Sequence, residues 1–125
     1  MPPRRVSDEV RYPKDPERKR WGRQSKRDGY IVDASFRELE AVDWVTIELE
    51  VRGSEGHELS GPVTFFVHPT FPQQAYEVEP RDGIARLQLN AWGGFTVGVW
   101  IHRGGIPLEL NLAAIEDAPR IIKER

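Results

Sequence analysis

The chain has 125 residues, no cysteine and a formal charge of −2. That length makes one domain with one core, and the missing thiols exclude disulfides, thiolate chemistry and cysteine-ligated zinc. No stretch approaches the roughly 20 apolar residues of a membrane helix and no apolar signal segment is visible near the N-terminus, so a cytoplasmic protein with no membrane partner is the expectation.

The charge is unevenly spread. Residues 1–27 hold ten Lys/Arg against four Asp/Glu, and residues 28–125 hold eight against sixteen. Residues 1–20, with Pro2, Pro3, Pro13 and Pro16 among the charges, read as a poorly ordered, flexible basic arm. They carry too little apolar surface to offset the entropy of ordering them. Such an arm can touch nucleic acid or an acidic partner. Trp21 reads as a pin at the edge of the domain, which is predicted over residues 21–125. Residues 25–29 read as a turn.

From Tyr30 the apolar period becomes two. Tyr30, Val32, Ala34 and Phe36 share one face, and Val45, Ile47, Leu49 and Val51 alternate with Thr46, Glu48 and Glu50. After a polar loop over residues 52–62, Val63, Phe65 and Val67 alternate. Ala85, Leu87 and Leu89 follow, then Phe95, Val97, Val99 and Ile101, then Ile106, Leu108, Leu110 and Leu112. Each run is a half-buried strand pattern. The short link Arg103-Gly104-Gly105 predicts a hairpin between the last two strands. Trp100 is out of phase with its strand's inward set and reads as lying on an outer face or against Trp21. Short strands with one apolar face each must pair two sheets to hide those faces. The predicted fold is all-β, an immunoglobulin-like antiparallel β-sandwich of about seven strands, with one helical turn before Pro119 in the final stretch, residues 113–122.

The chemistry of an enzyme is missing. The histidines are His57, His68 and His102. His57 lies in a polar glycine-rich loop and reads as solvated, and His102 ends a strand and reads as a surface residue. No H-x-x-x-H spacing, nucleophile elbow, P-loop or dinucleotide fingerprint occurs. No catalytic residue, cofactor or metal site is expected, and the loop acids Glu77, Glu79 and Asp82 lack the clustering that calcium needs.

Two segments do carry chemistry. Val67-His68-Pro69-Thr70-Phe71-Pro72 and Ala91-Trp92-Gly93-Gly94-Phe95 each put aromatic rings beside turn formers at the end of a strand. In one sandwich both turns can reach the same pole. An imidazole, a hydroxyl, rings and backbone amides then converge on a narrow slot suited to something flat or linear. Other readings are open. Phe71 and Trp92 fit either a core or a slot, His68-Pro69 fits a rigid turn, and Phe95 is in phase with Val97 and Val99 as core.

At these residues the chain resembles the YEATS domain family in its prokaryotic form. His68-Pro69-Thr70-Phe71 is similar to the family's His-x-Ser/Thr-Phe strand end. Ala91-Trp92-Gly93-Gly94-Phe95 is similar to its Gly-Tyr/Trp-x-x-Phe turn. Asp43-Trp44, with the strand ending in Val51-Arg52-Gly53, looks like its first strand. Thr70 stands where serine is usual, Ala91 where glycine is usual, and Glu40-Ala41-Val42 holds no aromatic. The resemblance implies a reader of acylated lysine in a peptide or protein. The flat amide would lie between Phe71 and Trp92, with the Thr70 hydroxyl on the amide and the Trp92 N–H on the acyl oxygen. His68 would orient Thr70, Gly93 and Gly94 would leave the far end open, and Glu77, Glu79 and Asp82 would attract a basic peptide. The alternative is a structural or adaptor sandwich that contacts protein partners through its surface and has no small-ligand pocket.

Overall fold

The structure is a computed structural model that describes residues 2–39 and 43–124; the stretch Glu40-Ala41-Val42 lies outside the described residues. Among the described residues it is nearly all β, with eight strands in two antiparallel four-stranded sheets. Sheet one is ordered β1 (Lys26–Arg27), β2 (Tyr30–Glu38), β3 (Val45–Gly53), β6 (Ile84–Ala91). Sheet two is ordered β5 (Ala75–Val78), β4 (Val63–Phe66), β7 (Thr96–Ile101), β8 (Ile106–Asn111). A 3-10 turn (Leu112–Ala114) and one short helix, α1 (Arg120–Glu124), follow.

The alternation in the sequence becomes the core. Val45, Ile47, Leu49 and Val51 of β3 face Val63 and Phe65 of β4 and Val97, Val99 and Ile101 of β7, all of them buried in one cluster. A strand's side chains alternate between faces, so these odd-numbered sets must lie together or not at all. The hairpin of β7 and β8 forms as expected, with Ile101 paired to Ile106. Two strands were not announced by periodicity: β5, whose side chains alternate between exposed and half-buried, and the two-residue β1, which lies in the stretch read as a turn and pairs with β2.

The outer face of sheet two holds the largest departure from a composition-based reading. Residues 5–20 of the basic arm, together with Trp21, make specific contacts to the sandwich. Trp21 is fully buried and stacks on Phe66 with ring centroids 4.6 Å apart. The seat exists because Gly98 has no side chain; a Cβ there would overlap the indole nitrogen of Trp21. Phe66, Gly98 and Glu109 lie in one row across β4, β7 and β8. Phe66 stacks on the indole, Gly98 makes room for it, and Glu109 accepts hydrogen bonds from the backbone N–H groups of Lys19 (2.9 Å), Trp21 (2.8 Å) and Arg23 (3.4 Å). Lys19 and Arg23 adopt left-handed backbone (φ 62° and 63°) at this carboxylate, an arrangement in which converging amides cradle an anion. Trp21 Nε1 donates to Glu17 at 2.8 Å, and Arg5 pairs with the same carboxylate while stacking over Trp21 and Phe66. Apolar area is scarce in this segment, and two carboxylates and one indole hold it instead. Trp100 is buried outside the inward-facing cluster, in phase with Gly98, on this same outer face.

The residues that follow Trp21 continue the pairing at two strands. Gln24 O accepts from the Glu109 N–H of β8, and Ser25 O accepts from the Val32 N–H of β2. These bonds occupy ladder groups that an open edge would otherwise present to another chain.

Candidate functional site

At one pole, β4 and β6 end and β3 and β7 begin. The two loops singled out in the sequence lie there and border one cavity of about 470 Å³.

The first loop is a hydrogen-bonded turn. Phe71 N–H donates to His68 O at 3.1 Å, and Val67 N–H to Gln74 O at 2.9 Å closes its base. Pro69 occupies the second turn position, where its fixed φ is an advantage. The imidazole of His68 sits between two partners. Its Nε2 lies 2.9 Å from Lys14 O, and its Nδ1 lies 2.9 Å from the Thr70 hydroxyl and 3.2 Å from the Thr70 N–H. A carbonyl only accepts, so in the neutral ring Nε2 carries the proton and Nδ1 accepts. The Thr70 hydroxyl then spends its hydrogen on His68, and its lone pairs remain to accept from a donor in the cavity.

The second loop crosses between the sheets. Ala91, the last residue of β6, is buried opposite Val45. Trp92-Gly93-Gly94 leads to Phe95, which is buried and forms the floor. Phe71 meets Phe95 edge-on at 5.2 Å, and His68 lies 6.4 Å from it. Phe95 O accepts from Leu112 N–H, and the next residue, Thr96, is clamped by Asp15. Its N–H and its hydroxyl each donate to that carboxylate at 2.7 Å. Gly94 lines the cavity, but its bareness has a reason on another side. A Cβ there would collide with the backbone carbonyl of Ile122 in α1, so helix packing demands this glycine whatever the slot holds.

The structure thus brings His68, Thr70, Phe71, Trp92, Gly93 and Gly94 to one cavity. Phe71 is half-buried, and Trp92 remains 49% exposed. Trp44, Asn90, Pro13 and Lys14 also line the cavity and were not read from the sequence as part of the slot. Trp44, 40% exposed, stands one residue before Val45 as Trp92 stands one after its partner Ala91, so the register of β3 and β6 carries the two indoles to the same pole. Pro13 and Lys14 come from the arm.

Other expectations are corrected. Glu79 and Asp82 do not flank the slot. Val78 pairs with Val63 and Ile84 with Arg52, which puts the 79–82 turn at the opposite pole, the whole length of β6 away. Glu77 points toward His102, 3.9 Å from its Nε2. His102 is not a simple surface residue, because its ring is only 17% exposed and bonds the Thr64 hydroxyl at 2.8 Å. His57 is exposed and meets Tyr30 edge-on.

Among the described residues no group of three His, Cys, Asp or Glu side chains is arranged to hold a metal, and no helix is long and apolar enough to cross a membrane.

No curated protein and no solved structure gave a match to the chain. A family model described as the prokaryotic YEATS domain matches residues 44–113, a stretch that runs from Trp44 through both loops to the 3-10 turn after β8 and leaves Pro13 and Lys14 outside it. With both loop motifs inside a match that spans more than half of its length, the chain belongs to the prokaryotic YEATS domain family.

Proposed function

We propose that the protein is a binding module, not an enzyme, and that its slot takes an acylated lysine or a similar flat amide of a peptide between Phe71 and Trp92. The observation that carries this reading is an oriented hydroxyl and solvent-open rings bordering one cavity. Thr70 Oγ1 accepts from the amide N–H, and the backbone N–H of Trp92 donates to the acyl oxygen. Phe71, held on Phe95, and the two indoles supply apolar contact.

The magnitudes fit a weak reader. Three or four buried carbons contribute about 0.8 kcal/mol each, and two hydrogen bonds add about 0.5–1.5 kcal/mol apiece. Ordering the lysine stem offsets part of this, which leaves affinity in the millimolar to high-micromolar range, about 4–6 kcal/mol. A free ammonium is rejected because its hydration is lost without a carboxylate to replace it. A methylated ammonium is the closest competitor, since exposed indoles attract cations.

Titration with acetyl-lysine, crotonyl-lysine, trimethyl-lysine and unmodified peptides, followed by NMR, tests the reading. Acylated peptides are expected to shift residues 68–71 and 91–94, and unmodified peptide is expected to leave them still. Thr70→Ser keeps this binding, and Thr70→Ala weakens it by about three- to tenfold, the loss of one hydrogen bond. Silence at those residues at millimolar acyl peptide favours the adaptor alternative, in which Trp44 and Trp92 serve as exposed anchors for a protein partner.

A further inference from the structure

The acids and bases of the arm have separate fates. Asp15 turns onto Thr96, and Glu17 onto Arg5 and the Trp21 indole. Among the described residues, the ion pairs of this segment are Arg5 and Arg20 with Glu17, and Arg11 with Glu9. The side-chain cations of Lys14, Arg18, Lys19 and Arg23 have no carboxylate at ion-pair distance among the described residues, although the backbone N–H groups of Lys19 and Arg23 meet Glu109. These cations are not scattered. Arg18 lies over the Tyr12 ring at 4.3 Å and Lys19 at 5.3 Å. The Tyr12 phenol titrates below its ordinary value because Lys19 hydrogen-bonds it, with burial opposing and the charges of Lys19, Arg18 and Arg23 adding to the effect. Tyr12 O accepts from Asp15 N–H, which folds the cluster back beside Pro13 and Lys14, and those two residues line the slot. A cationic patch therefore adjoins the cavity mouth, and the 79–82 acids lie at the other pole.

Resting on the acyl-lysine reading of the slot, we propose that its partner is an acidic peptide, one in which the acylated lysine is flanked by aspartate or glutamate. The neutral side chain enters the slot, and the flanking carboxylates meet Lys14, Arg18, Lys19 and Arg23. A basic flank would meet like charge there. A nucleic acid is the less suited polyanion, because it extends past so small a patch onto a body whose residues 28–125 carry twice as many acids as bases.

The test measures fluorescence anisotropy of the full chain with acetyl-lysine peptides of one length, flanked by Asp/Glu, by Ser/Ala or by Lys/Arg, at low and high salt. The acidic peptide is expected to bind about five- to tenfold more tightly than the neutral one at low salt, the work of a few exposed ion pairs. The basic peptide binds most weakly, and the differences shrink as salt shortens the screening length. Joint reversal by Arg18→Glu and Lys19→Glu, in a variant whose NMR spectrum shows the fold retained, inverts the order. Equal affinities at low salt, or an order that survives the reversal, overturn the partner assignment and leave the slot reading standing. Residues 68–71 and 91–94 silent toward all three peptides overturn the slot reading and the proposal with it. Duplex DNA that displaces the acidic peptide at equal charge concentration overturns the proposal in favour of nucleic acid.

Discussion

A single missing methyl decides where the arm rests. Gly98 sits between Phe66 and Glu109 in one cross-strand row, and the Trp21 indole fills the space over it. Gly98→Ala drives a carbon into that ring, so either β7 bends or Trp21 lifts, at about 1–3 kcal/mol for an overpacked site. The denaturant midpoint is expected to fall and Trp21 to become accessible to fluorescence quenchers; a midpoint equal to the parent's would show that the indole is not seated tightly. Residue-scale legibility follows the same logic of neighbours. Phe95 was legible as core because it shares the phase of Val97 and Val99. Thr70, Phe71 and Trp92 stood out because rings and a hydroxyl lie beside turn formers at strand ends, although the sequence left Phe71 and Trp92 open between core and slot. Trp44 was not, since its place beside the slot depends on the pairing of Val45 with Ala91, and no alternation pattern states register.

The strands and the arm were unequally visible. β3, β4, β6, β7 and β8 each carry an unbroken inward set, which is why the sandwich could be read before any coordinates. β5 is a four-residue edge strand with Tyr76 and Val78 only half-buried, and an edge strand needs little apolar signal. The arm was read as unordered because composition counts apolar area, and here buried carboxylates do the holding. Asp15 is the anchor nearest the slot, and Lys14 O reaches His68 from the next residue. Asp15→Ala is expected to cost about 2–3 kcal/mol through loss of two charge-assisted bonds. It also releases Lys14 from His68, so the Nε2–H loses its carbonyl acceptor while the Thr70 N–H still makes Nδ1 an acceptor, and the nitrogen chemical shifts of the ring report the change at Nε2. On the proposed acyl-lysine reading, acyl-peptide affinity is expected to fall severalfold with it. Ring shifts identical to the parent's would mean that His68 holds its orientation without the arm.

Over the whole molecule, cohesion is graded from the centre outward. β7 is buried along all six residues and is paired on both sides, whereas β5 has a free edge. Native-state hydrogen exchange is expected to be slowest in β7 and β3 and fastest in β5, since local opening is easiest where few contacts must break; protection in β5 equal to that in β7 would contradict this grading. The clamp on Thr96 and the cradle on Glu109 also impose an order in time. Asp15 precedes Thr96 by 81 residues, and Trp21 precedes Glu109 by 88. Contacts so distant along the chain form late and slowly. During translation these early residues wait undocked until β7 and β8 have emerged, so the pole that carries the two loops is completed only with the hairpin.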